Sequence, residues 1–301
     1  MPMELKQIRG STWCLMGHQL IPVFLIDEAR CILLDCGTAL PRLRAQIEGE
    51  LARHGLTPAG VLCTHNHYDH DGTAAYFQEK YGIPVAMPLG EAECCRTEAA
   101  LKSYLYVYTI GQIRSDPTLV PVLADRVIQP EEERLLFCGV TFRILHTPGH
   151  SIDHISVITP DNVCYVGDAL MCGRTLETSR LPYAYDMERN LATIEALRTL
   201  GSPVMILAHC GVEQAPYDAL CDRNRDAYRS ALEQIKALVN RPMTMDEISR
   251  VVRREIGVAV TSGFKALAFE RFIRPYLEYL VDSGSHTVVE KDGILAYAPN
   301  E

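Results

Sequence analysis

Short apolar runs alternate with longer periodic ones along this chain, and their spacing predicts the order of its elements. "PVFLID" (22–27) and "CILLDCG" (31–37), separated by "EAR", have the pattern of two buried strands in a hairpin, with Gly37 ending the second. Residues 40–55 carry Leu40, Leu43, Ile47 and Leu51 at helical spacing, and Gly55 stops them. "AGVLCT" (59–64) reads as a strand, 72–82 as a short helix and "IPVAM" (83–87) as another strand. Residues 88–126 break this rhythm: they are helix-like, irregular and rich in tyrosine, and read as an insertion between strands. Strands resume over 134–147, 154–160 and 162–168. A helix follows at 187–201, then an apolar strand at 203–211 and a long helix near 217–239. Arg241-Pro242 marks a boundary, after which come two helical segments and a hairpin with Asp292-Gly293 at its turn. Strands and helices alternate irregularly through the first 215 residues, which favours an α/β or α+β sandwich over a regular βαβ series.

One stretch does not follow from packing. Cys63–Gly72, "CTHNHYDHDG", places three of the ten histidines and two aspartates on the loop that ends a strand. Neutral imidazole and carboxylate are the donors a borderline divalent ion such as zinc prefers. On an extended loop His65 and His67 project the same way, whereas Asp69 and His70 are adjacent and diverge. One loop can therefore serve two metals, with neither coordination sphere filled. Further donors close apolar strands: His150 in "HTPGHS", Asp168 in "CYVGDAL" and His209 in "VMILAHCG". Each alone reads as a hydrogen-bonded strand end or a helix cap. In this order after H-x-H-x-D-H they read as metal ligands.

Composition narrows the classes. The chain has 301 residues, 48% of them hydrophobic and 22% charged, and a net charge of −9. That charge argues against a nucleic-acid partner unless a local basic patch exists. The tail supplies none, since eight basic residues face nine acidic ones from Arg241 to Glu301. No window approaches a membrane span and "MPMELKQIRG" has no apolar signal core, so no membrane association is expected. Eleven cysteines without a C-x-x-C pair suit a reduced, cytoplasmic protein, with Cys94, Cys95 and Cys210 serving as packing residues.

With Asp35 in "LLDCG", these motifs together resemble the metallo-β-lactamase superfamily, over roughly residues 8–215. The resemblance implies an α+β fold: an αββα sandwich over residues 1–239, with the insertion at 88–126. The tail, 240–301, resembles the winged-helix-like domain of a glyoxalase II-like hydrolase branch. It further implies that His65, His67 and His150 hold one metal, that Asp69, His70 and His209 hold a second, that Asp168 bridges, and that Asp35 supports the site from behind. Two divalent ions per chain are then the cofactors, zinc first, with iron or manganese compatible. A metal-bridged hydroxide would attack a small-molecule ester, thioester or lactone, with Asp69 as the carboxylate that orients it and accepts a proton. A mononuclear iron sulfur dioxygenase and a nuclease are the alternatives on the same scaffold. Leu170, Met171 and Cys172 stand where one lactonase branch carries a tyrosine. Residues 88–126, through Tyr104, Tyr106 and Tyr108, are expected to face the substrate. His18 and His154 read as structural or supporting residues, and a homodimer is left open.

Overall fold

The computed structural model describes residues 3–300; residues 1, 2 and 301, at the ends of the two expected spans, lie outside them. The chain opens with strands β1 (Glu4–Arg9) and β2 (Thr12–Met16), then the expected hairpin, β3 (Ile21–Leu25) and β4 (Arg30–Leu34). Asp27 shapes its turn by accepting from the amides of Ala29 (3.0 Å) and Arg30 (2.8 Å). Helix α1 (Pro41–Arg53) leads to β5 (Thr57–Leu62), α2 (Ala74–Tyr81) and β6 (Val85–Pro88). Three short helices, α3 (Leu89–Cys95), α4 (Glu98–Tyr104) and α5 (Ile110–Ser115), then precede β7 (Arg126–Ile128). The second half runs β8 (Arg134–Phe137), β9 (Val140–His146), β10 (Ile155–Ile158), β11 (Val163–Tyr165), α6 (Gly173–Thr178) and α7 (Met187–Arg198). It continues through β12 (Val204–Leu207), β13 (Gly211–Gln214) and α8 (Asp218–Leu238). The tail comprises β14 (Met243–Thr244), α9 (Met245–Ile256), α10 (Gly263–Asp282), β15 (His286–Lys291) and β16 (Ile294–Pro299).

Strands β1 to β7 form one sheet in sequence order, and β8 to β13 form a second, also in sequence order; β14, β16 and β15 make a small third. The two large sheets face each other across an apolar layer that includes Phe24, Ile32 and Leu62 from one and Phe142, Val157 and Tyr165 from the other. A second layer packs α1 and α2 on the outer face of the first sheet through Ile47, Leu51 and Phe77. A third packs α7 and α8 on the second sheet and is continuous with Ile248, Val252, Ile273 and Leu277 of α9 and α10. The order is helix, sheet, sheet, helix: the αββα sandwich.

Several expectations are refined. Leu40 is not a core position; it precedes Pro41 at the start of α1 and is 48% exposed. Strands β1, β2, β7 and β13 and helix α6 add to the expected elements, since "ELKQIR" and "GVEQ" are too polar and short to stand out as apolar runs. Residues 88–126 do not divide the first sheet. Their helices are the crossover between β6 and β7, which pair in parallel as neighbours.

The layer between the sheets should dominate stability. Phe142 is fully buried and meets Phe24 edge to face at 5.6 Å. Phe142→Ala should cost about 3–5 kcal/mol, read from the midpoint of urea unfolding. Leu136→Ala, at a side chain 69% exposed on the neighbouring strand, should stay within about 0.5 kcal/mol.

Candidate metal centre

The expected residues come together because they follow strands that end at one edge of the sandwich. β4 and β5 run in parallel, as do β11 and β12. Asp35 follows β4, the His65–His70 loop follows β5, Asp168 follows β11 and His209 follows β12, while His150 lies in the turn between β9 and β10. Both expected sets, His65, His67 and His150, and Asp69, His70 and His209, have their donor atoms within 4.8 Å of one another, and Asp35, His65 and His70 form a third such group behind them. Asp168 lies between them. Its Oδ2 is 3.5 Å from His150 Nε2, while its Oδ1 is 3.4 Å from His70 Nε2 and 3.2 Å from His209 Nε2. Asp69 Oδ2 is 3.4 Å from His209 Nε2.

Hydrogen bonds behind the rings decide which nitrogen carries the proton. Asp35 is fully buried and accepts from Thr64 N (2.7 Å), Thr64 Oγ1 (2.8 Å), His70 Nδ1 (2.7 Å) and Tyr165 Oη (2.7 Å). The single Thr64 hydroxyl proton goes to Asp35, so its oxygen accepts from His65 Nδ1 at 2.9 Å. His65 and His70 are thereby protonated on Nδ1, and each turns its Nε2 inward. Both of these Nε2 atoms are buried without a hydrogen-bond partner. His67 Nε2 lies 3.3 Å from the Tyr104 hydroxyl, which can accept its proton and leave Nδ1 facing His150 Nε2 at 3.0 Å. Orphaned inward lone pairs on imidazoles, backed by carboxylate and hydroxyl partners, fit a divalent cation.

The electrostatics divide the two sets. Burial, reinforced by the neighbouring imidazoles, pushes His65 and His67 well below the ordinary histidine range and lowers His150, so all three are neutral donors near pH 7. Burial also opposes charge on His70, but Asp168, Asp35 and Asp69 outweigh it and raise that ring. Burial pushes Asp168 up, and His70, His209 and His150 more than reverse it, so Asp168 is a carboxylate.

Residues outside the motif complete the surroundings. Glu91 of α3 is fully buried and touches both ligand loops; burial raises its carboxyl to about 7 against the pull of its hydrogen-bond donors. A cavity of about 420 Å³ beside the centre is lined by Tyr104, Tyr183, Tyr185, Arg271, Arg274 and Glu278 among others. Tyr183 reaches the centre, with its ring 5.6 Å from that of His150. The Arg271 guanidinium of α10 stacks 4.5 Å over Tyr104. No sequence signal marks Glu91 or Arg271, since each meets the centre only through the tertiary fold.

Some expectations change. Cys210 is not a free packing residue: it forms a disulfide with Cys172, because parallel β11 and β12 bring the segments after Asp168 and His209 side by side, with Cα atoms 5.9 Å apart. Cys94 is half-buried and Cys95 buried, both as free thiols. Of the three tyrosines, Tyr104 and Tyr106 line the cavity, whereas Tyr108 lines a separate shallow pocket with Gln112 and Asp116. His154 accepts from Asp168 N at 3.3 Å and pairs with Thr147 Oγ1 at 2.9 Å, a supporting position. His18 is exposed on the loop whose Leu20 amide bonds Ala208 O beside His209.

Known proteins share this fold. A family model described as the Metallo-beta-lactamase superfamily matches residues 18–209. A relative named hydroxyacylglutathione hydrolase, from Xanthomonas oryzae pv. oryzae (strain MAFF 311018), is 26% identical over 258 residues, covering 84% of this chain and 82% of that protein. Among solved structures, a beta-lactamase domain protein from Burkholderia ambifaria superposes with a TM-score of 0.74 at 19% identity, over 98% of this chain and 93% of that one. A metallo-beta-lactamase family protein from Thermus thermophilus does so with a TM-score of 0.72 at 21% identity, over 99% and 98%. These two likenesses extend the shared fold through the tail.

Asp35 has φ +60, a conformation that asparagine tolerates, so Asp35→Asn removes the charge without forcing the backbone. Its amide cannot accept from every donor now held. Divalent-ion affinity should fall about 10- to 100-fold, measured by chelator competition. Unchanged affinity would remove Asp35 from this role.

Proposed function

This chain belongs to the metallo-β-lactamase superfamily, and from that premise we propose that it is a thioester hydrolase that holds two divalent ions, zinc first, between the two ligand sets. The observation that carries this reading is Asp168, whose two oxygens face different sets, as a bridging carboxylate requires. His65, His67 and His150 would hold one ion, Asp69, His70 and His209 the other. When bound, such a pair lowers the pKa of a shared water and polarises the substrate carbonyl. The protein's own part follows from its geometry. The buried rings present fixed lone pairs, and Asp69, with its side chain one-third exposed, offers Oδ2 beside His209 to orient a water and take its proton. Residues 1–239 form the catalytic unit and 240–301 a winged-helix-like one, whose α10 walls the cavity.

The thioester assignment is supported by relatives named hydroxyacylglutathione hydrolase and by the cavity. Arg271 is half-buried there, and among the described residues no carboxylate pairs with it. A half-buried guanidinium with aromatic but no carboxylate partners favours a substrate that brings an anionic group, as the carboxylates of an acyl-glutathione do. Glu278, Asp282 and Glu188 on the same wall oppose a polyanion such as a nucleic acid.

Elemental analysis of the purified protein should give close to two ions per chain, and His209→Ala should lose one of them. Turnover of an acyl-glutathione thioester should be equal with and without oxygen. One equivalent of iron, oxygen uptake with a persulfide and no thioesterase activity would instead establish the dioxygenase alternative. Arg271→Ala should raise KM on the order of 10- to 100-fold, the loss of one charge-assisted contact, with metal content unchanged. A wild-type KM in that variant would place the anionic group elsewhere.

A further inference from the structure

We propose that Glu91 is the positioning residue that sets the separation of the two loops carrying His65, His67 and His150, a role that rests on the metal-binding reading above. Glu91 lies in the first turn of α3, in the segment expected from sequence to face the substrate, and is fully buried. Its two carboxylate oxygens are divided between the loops. Oε2 accepts from the amide of Asn66, the residue between His65 and His67, at 3.1 Å. Oε1 accepts from Ser151 Oγ, next to His150, at 2.5 Å and from the Asp153 amide at 2.8 Å. The backbone reinforces both grips. Asn66 Nδ2 donates to Glu91 O at 3.1 Å, and Gly90 N donates to Asp153 Oδ2 at 2.9 Å.

A carboxylate with no cation beside it is costly to bury unless its donors satisfy it. Here those donors are the backbone and hydroxyl groups flanking one ligand set. Among the described residues Glu91 hydrogen-bonds none adjacent to His209, and the far part of the Asn66 loop is held separately, at His70, by Asp35. Its loss should therefore act on one metal position and spare the other.

Single-set backgrounds make this measurable with zinc and a chromophoric chelator. His209→Ala leaves the His65, His67 and His150 set whole; His150→Ala leaves the other. In the His209→Ala background, Glu91→Ala should weaken zinc affinity about 10- to 100-fold. Glu91→Gln, which keeps one acceptor oxygen, should fall between it and the parent. In the His150→Ala background both changes should leave affinity within about twofold. Ser151→Ala, which removes one contact only, gives a milder version should Glu91→Ala fail to fold, and a several-fold loss confined to the first background is expected. Equal losses in both backgrounds would show a general structural role and overturn the proposal, as would no loss in either. Wild-type protein that binds no zinc, cobalt or iron would overturn the metal reading itself, and this proposal with it.

Discussion

The burial of Asp35 is the constraint on which the site depends. A carboxylate removed from water costs several kcal/mol unless donors replace its hydration, and here four surround it. Each comes from a part of the chain that has to be in place for the site to exist. Thr64 and His70 belong to the loop after β5, and Tyr165 ends β11 in the opposite sheet. The two sheets can close on each other at this edge only in the register that satisfies Asp35. That same register brings His65, His70 and Asp168 together. Folding and site assembly are one requirement.

The proton positions follow. Asp35 accepts from His70 directly and from His65 through Thr64, so neither ring is free to turn its lone pair outward. Burial then keeps His65, His67 and His150 uncharged. A neutral imidazole with its outer nitrogen protonated is the form a metal requires, and His65, His67 and His150 adopt it unaided, whereas the carboxylates around His70 favour its charged form, from which an arriving cation would displace a proton.

What the sequence revealed, and what it hid, divides along this line. H-x-H-x-D-H and the strand-ending His150, Asp168 and His209 were legible because they are local: a donor at the end of an apolar run is a pattern on the page. The long helices were legible by period and the buried strands by composition. The polar strands at the sheet edges were not, since their pairing supplies what their side chains do not. Nor was the surrounding shell. Glu91 reads as a surface residue of a short helix, and Arg271 as one of many basic residues in an acidic tail. Only the crossover from β6 to β7 and the docking of α10 turn them inward. Cys172 and Cys210 are 38 residues apart, and nothing local pairs them.

Seen as a set, these hidden contacts form a ring. Glu91 ties the loop after β5 to the turn holding His150. His154, four residues on, accepts from the amide of Asp168 and ties that turn to the end of β11. The disulfide ties the segment after Asp168 to the residue after His209. Leu20 N donates to Ala208 O and returns the last loop to the first sheet, where Asp35 holds the loop after β5. Each segment that carries a candidate ligand is thus fastened to the next by a contact that does not itself use a donor atom facing the centre. Loops are the mobile parts of a fold, and ordering four of them upon binding would subtract from the affinity of any ion. Fastening them to one another transfers that entropy to folding, where the large sandwich core absorbs it. The donor atoms meet only one another at the centre, and their spacing is set by the fold.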